Sequence, residues 1–240
     1  MNFTWSTARS ELSFSGGGRT AVLQVRRSPR ARSMRLIVDP RDGAVRLTLP
    51  TRASLKQAMA WVESKRGWIE AQLGALPVTT PLAPGAIVPF EGKPLTLVWA
   101  ADQGRKVAID GDRLLVGGPE AHLAARTLRW LRSEALERLE DETRFLAGKA
   151  GVTIGRVGIG DPKSRWGSCT SSGDIRYSWR LILAPAEVRI ATVAHEVAHR
   201  LHMHHGPDFH RAVAELLGHE PKQERGWLKK HGHTLHAIGR

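Results

Sequence analysis

Alternating and short continuous apolar runs dominate the first half of the chain, and apolar spacings of three to four residues dominate the second. The run MRLIVDPRDGAVRLTLP, beginning at Met34, reads as two strands around a turn at Asp39-Pro40-Arg41-Asp42-Gly43. Leu55, Met59, Val62, Ile69 and Leu73 then recur at helical intervals behind Ser54, a residue suited to capping a helix N-terminus. Residues 76–94, LPVTTPLAPGAIVPFEGKP, are rich in proline and glycine and read as a linker or long loop. LTLVWA, KVAID and RLLVGG follow as three short strands, the last two joined at Asp110-Gly111, a hairpin signal.

Pro119 opens a long helical pattern with Leu128, Leu131, Ala135 and Leu139 on its apolar stripe and Gly151 as its stop. VTIGRVGIG and DIRYSWRLILA read as strands flanking the loop DPKSRWGSCTSSG. PAEVRIATVAHEVAHRLHMH reads as a helix interrupted at Gly206-Pro207, and PDFHRAVAELLG as a second helix ending at Gly218. No internal repeat stands out. The pattern predicts an α+β fold: a mixed, β-rich N-terminal part over 1–117 and a C-terminal part over 118–240 that carries the histidine helix. Regular βα alternation and a glycine-rich phosphate loop are both missing, which argues against a TIM barrel or a Rossmann fold.

Charge modifies this picture in one region. The chain carries a formal +13, and residues 19–66 hold twelve Lys/Arg against Asp39, Asp42 and Glu63. Such a basic stretch suits nucleic acid or an acidic partner, although it equally suits an arginine-rich solvated surface. No RNP-type aromatic motif or Cys/His finger spacing strengthens the nucleic-acid case. No apolar run reaches the roughly 18–20 residues of a membrane span, so no membrane partner is expected. The start MNFTWSTARSELSFSGGG lacks a basic stretch followed by an apolar one, and Cys169 is the single cysteine. A cytoplasmic protein is therefore expected.

The candidate chemistry lies in VAHEVAHRLHMHHGPDFH, residues 193–210. His195-Glu196-Val197-Ala198-His199 is an H-E-x-x-H motif. Residues i and i+4 share one helix face, so both imidazoles reach one metal ion, and the glutamate beside them is placed to take a proton from water at that ion. One zinc ion is the expected cofactor. A catalytic zinc site takes three protein ligands and leaves one position open. His202 is about 10.5 Å along a continuous helix from His195 and is too far. His204 and His205 sit where Gly206-Pro207 ends the helix, and a bend there folds one of them back. His195, His199 and His205 have the spacing of metzincins, but His202 replaces the metzincin glycine. Glu215 and His210 on the next helix are rivals for the third place. A closed structural zinc site is disfavoured by the lone cysteine and by the motif's glutamate.

SRWGSC (164–169), IRYSWRLILAP (175–185) and VAHEVAHRLHMHHGPDF (193–209) together resemble the bacterial YgjP-like metallopeptidase family, related to the SprT and WLM proteases of the zincin superfamily. RRSPRARSMRLIVDPRDGAVRLTLP resembles that family's basic N-terminal hairpin, and WVESKRGWI its first helix. The chain departs from the pattern at Tyr177-Ser178, at Gly206, and at His210, where a tryptophan is common. The resemblance implies a zincin-like C-terminal catalytic part, His195, His199 and His205 as metal ligands, and Glu196 as general base. The expected function is a zinc metallopeptidase acting on a peptide or protein. Arg165 and Trp166 are candidate substrate contacts beside the metal, with Arg165 suited to a carboxylate or oxyanion. Some relatives carry a nucleotide-pyrophosphatase label, so a metal-dependent nucleotide pyrophosphatase is the alternative, with Lys163 and Arg165 as the nearby basic groups. A protease recruited to nucleic acid through the basic N-terminal part is another.

Overall fold

The computed structural model describes residues 12–16, 19–39, 43–76, 79–104 and 106–239. Two compact units divide the chain, Met1–Val78 and Thr79–Arg240. The division expected at 117/118 falls inside the second unit, because Leu95, Leu97, Leu114 and Val116 share one core with the long helix and the histidine helix.

The first unit contains β1 (Leu12–Gly16), β2 (Arg19–Ser28), β3 (Arg35–Val38) and β4 (Val45–Pro50), then α1 (Leu55–Ser64) and α2 (Arg66–Gly74). The sheet order is β1-β2-β4-β3. The outer pairs are antiparallel and β2 runs parallel to β4. Burial alternates along β4: Val45, Leu47 and Leu49 are inside, and the residues between them are not. These side chains pack with Phe14, Leu23, Ala58, Val62, Ile69 and Leu73. β3 and β4 form the hairpin read from the sequence; its turn residues 40–42 lie outside the described residues. The single helix expected over 54–73 is broken at Lys65. Ser64 Oγ donates to the Trp61 carbonyl at 2.7 Å, a back-bond that disrupts the helical ladder.

The second unit opens with β5 (Ile87–Phe90), β6 (Lys93–Ala100), β7 (Val107–Asp110) and β8 (Arg113–Gly117), in the order β5-β6-β8-β7. Its pairing senses repeat those of the first sheet. β5 lies in the stretch expected to be loop; it is an edge strand, where Pro89 costs no ladder hydrogen bond to a second neighbour. After a short 3₁₀ turn, α3 (Leu123–Ala150) runs as expected and stops at Gly151, which is left-handed at φ 66°. β9 (Val157–Gly160), β10 (Gly167–Cys169) and β11 (Ile175–Ser178) form a sheet in the order β10-β11-β9. The expected strand over DIRYSWRLILA ends at Ser178, and Trp179–Leu183 is a 3₁₀ helix buried on every side.

α4 (Ala186–Ala198), α5 (Pro207–Leu217) and α6 (Lys222–Leu235) complete the unit. α6 and the residues after it are packed down: Leu235, His236, Ala237 and Ile238 are buried. Arg180 clasps this segment, donating to the carbonyls of Leu235 at 2.6 Å and Ile238 at 2.9 Å while its other guanidinium edge holds Asp161. Burial pushes the Asp161 carboxyl up, but its bonds from Arg180 outweigh this and hold it below the ordinary value. Among the described residues no helix is long and apolar enough to cross a membrane.

Candidate metal centre

α4 buries Val188, Val193, Ala194, Val197 and Ala198 and so fixes the roll of the helix. That roll turns His195 and Glu196 toward β10 and the N-terminal end of α5. The helix stops at Ala198, well short of Gly206-Pro207, and His199 is its C-cap. The amide of His202 bonds the Ala198 carbonyl at 2.9 Å and that of Leu201 bonds the same carbonyl at 3.0 Å, closing the last turn tightly. The chain then loops back through residues 202–206 and returns His205 to the first two histidines.

His195, His199 and His205 each offer a ligand atom, and these atoms lie within 4.8 Å of one another. Nε2 of His195 and Nε2 of His205 are 3.2 Å apart. Metal–nitrogen bonds of about 2.0–2.1 Å at tetrahedral angles separate ligand nitrogens by about 3.3 Å, so the His195–His205 pair is spaced for a shared divalent ion and His199 lies within reach of it. The Nδ1 of His199 lies 3.2 Å from the His202 carbonyl. A carbonyl only accepts, so Nδ1 carries the proton and Nε2 keeps its lone pair for a ligand bond. Burial and then the neighbouring imidazoles push His195 down to about 4. Burial lowers His199 as well, against the bond to His202. Both rings are therefore neutral at pH 7, the form that ligates metal.

Phe209 supports the cluster. Its ring centroid lies 4.9 Å from that of His195 and 4.7 Å from each of His199 and His205. It is 1 % exposed. One rigid ring thus backs all three imidazoles. Glu215, a rival third ligand, is exposed on α5, and among the described residues the cluster comprises the three histidines alone. His210, the other rival, lines the neighbouring cavity and meets Phe209 edge-on, ring centroids 5.5 Å apart.

Glu196 is 5 % exposed. Desolvation pushes its carboxyl up to about 7, against the pull of the Arg165 guanidinium. Gly167 on β10 is the reason Glu196 fits: a Cβ there would stand 2.4 Å from Oε1 and 2.6 Å from Cγ of Glu196. β10 pairs with β11 through Gly167 and Tyr177, Ser168 and Arg176, and Cys169 and Ile175. Among the described residues its other edge has no strand beside it. Tyr177 is buried with its hydroxyl 2.9 Å from Thr143 Oγ1, and burial pushes that phenol well up; it is a satisfied core residue. Cys169 is a half-buried thiol whose pKa burial raises.

A cavity of about 750 Å³ opens beside His195 and Glu196. Val188, Ala191, Val213 and Leu228 supply apolar wall, and Arg165 and Trp166 line it too. Trp166 is held from behind by α6, its ring 5.2 Å from that of His236 and against the bare backbone of Gly232. Arg165 is exposed. The core tryptophan is Trp179, 1 % exposed. Gly167 and Phe209 were given no role in the sequence reading. Both lie within the quoted motifs, but their importance rests on contacts across the fold that residue spacing does not show.

An α+β fold with three converging imidazoles and a desolvated carboxylate belongs to the metal-dependent hydrolases by its chemistry. The chain belongs to the YgjP-like family: the model of the YgjP-like metallopeptidase domain matches residues 32–231. It is thus a metal-dependent protease in general class, and the family implies a bound metal ion. No curated protein and no solved structure gives a significant match to the chain.

Proposed function

We propose that the protein is a zinc metallopeptidase in which His195, His199 and His205 hold one ion and Glu196 moves the proton. The observation that carries this reading is the convergence of three imidazoles beside a cavity that His195 and Glu196 line. A bound zinc ion supplies Lewis acidity, favouring deprotonation of water and polarising a peptide carbonyl. Glu196 accepts the proton of the attacking water and returns it to the amide nitrogen as the C–N bond breaks. A carboxyl whose desolvation places it near neutrality suits both halves of that transfer. Phe209 and the His202 carbonyl hold the imidazoles in place. The open edge of β10 offers main-chain hydrogen bonds to an extended peptide, the cavity takes a side chain, and Arg165 faces an oxyanion or carboxylate of the substrate.

The cavity's apolar walls favour a peptide side chain, while its charged lining is mixed, with Arg165, Arg211 and Arg225 beside Glu220 and Glu224. A cytoplasmic site of action suits the free thiol of Cys169. The test is hydrolysis of a quenched fluorescent peptide pool by the zinc-loaded protein and by Glu196→Gln. The variant should keep its metal and lose about a hundred- to ten-thousand-fold in turnover. Undiminished hydrolysis by the variant refutes the role of Glu196, and release of pyrophosphate from nucleotides with no peptide cleavage refutes the peptidase reading.

A further inference from the structure

We infer that the face of the first sheet turned away from its unit's core is a binding surface for the phosphate backbone of nucleic acid. β2, β4 and β3 turn Leu23, Val25, Val45, Leu47, Leu36 and Val38 toward the core of their unit. The alternate positions form two rows on the opposite face. The register makes one row Gln24–Arg46–Ile37 and the next Arg26–Thr48–Arg35. Arg26 and Arg35 are exposed and flank Thr48 across two strand spacings, about 9.5 Å. The connection between β2 and β3 adds Arg30 and Arg32, both exposed. None of these four guanidinium groups has a hydrogen-bond or ion-pair partner among the described residues. Arg46 is held by Asp39 and Gln24, and Arg27 by the carbonyls of Thr51 and Ala53 at 2.7 and 2.8 Å. Asp39 is the acid that reaches this face among the described residues, and Arg46 neutralises it. Glu63 and Glu70 pair with Arg66 on the helices.

The second sheet is an internal control for compositional bias, since it has the same strand order and pairing senses. Its row Thr96–Arg113–Asp110 matches Gln24–Arg46–Ile37, again with its arginine held by an aspartate. Its next row is Val98–Leu115–Ala108, where the first sheet has Arg26–Thr48–Arg35. An arginine-rich composition alone would load both sheets alike. Free arginines beside a threonine hydroxyl and an amide are the chemistry that phosphate oxygens accept. Trp and Tyr are missing from the described part of this face, which therefore offers phosphate contacts and no base-stacking platform, so its contribution to binding is independent of sequence.

The test uses the full chain and fluorescently labelled 20-mer mixed-sequence DNA, duplex and single-stranded, titrated between 50 and 200 mM KCl. Four phosphate contacts give a slope of log K against log[salt] of about −3.6 on duplex, an affinity loss of about 150-fold over that range. Arg26→Ala/Arg35→Ala should bring the slope to about −1.8, so that the same salt rise costs about 12-fold. Arg26→Lys/Arg35→Lys should keep most of the affinity. Peptide hydrolysis should be unchanged in both variants, since neither residue belongs to the metal centre. A slope near zero, or equal binding by the alanine variant, overturns the inference. So does binding to phosphatidylserine vesicles that needs the same arginines while DNA is ignored. Either failure leaves the peptidase reading untouched.

Discussion

Replacing Gly167 by alanine should disable the protein without emptying its metal site. The added Cβ would stand 2.4 Å from Oε1, 2.6 Å from Cγ and 2.7 Å from Cδ of Glu196. Carbon atoms in good contact sit about 3.5–4.0 Å apart, so the Glu196 side chain must retreat by about 1 Å along most of its length. The retreat involves the stem as well as the carboxylate tip, and Glu196 is 5 % exposed, so free solvent offers it no easy path. A displacement of about 1 Å in a reacting group costs about a hundredfold in rate. That is about 2.7 kcal/mol on the barrier. None of the three clustered histidines is among the atoms nearest the new Cβ, so metal content should hold at the wild-type level. The assay is turnover of a quenched fluorescent peptide at saturating substrate, with metal content by plasma mass spectrometry on the same preparation. Ser168→Ala, one residue along β10, is the control and should retain turnover within a few-fold. Gly167→Ala turnover equal to wild type would refute the claim that β10 sets the position of Glu196.

Phe209→Ala should destabilise the second unit by about 3–5 kcal/mol, read as a lower denaturant midpoint, because a buried ring is replaced by a cavity. It should also weaken metal binding measured by competition with a chelator, and Phe209→Leu should recover part of both losses. Asp161, held below its ordinary value by Arg180, contributes stability that is present above the unfolded value of 3.8 and is lost as pH falls through the lower folded one. Melting temperature should therefore drop below about pH 4 more steeply in wild type than in Asp161→Asn, which should lose about 1–2 kcal/mol at pH 7. Parallel acid profiles for the two proteins would contradict that assignment.

The candidate site was legible in the sequence where the helix period alone carries the geometry. His195 and His199 share a face by their spacing, and the buried Val193 and Val197 confirm which way that face turns. His205 was harder, because its return depends on α4 ending at Ala198 and on the tight turn through His202. Gly167 and Phe209 were not legible, since their importance lies in contacts across the fold with Glu196 and with the imidazole cluster. Trp179–Leu183 misled because a short, mostly apolar run fits a buried strand or a buried 3₁₀ helix equally well. No element was read over α6, because its polar residues outnumber the few, Glu224, Gly232 and Leu235, that are buried. The repeated strand order of the two four-stranded sheets left no trace of internal similarity, since core strands accept many combinations of Val, Leu and Ile.

The central claim is that three imidazoles hold one divalent ion beside Glu196. X-ray absorption at the zinc edge, on protein reconstituted with one equivalent of zinc, tests it most directly. The account predicts three nitrogen scatterers at about 2.0–2.1 Å with imidazole outer-shell features, reduced to two in His205→Ala. A protein that takes up no zinc, or a His205→Ala spectrum identical to wild type, would contradict it.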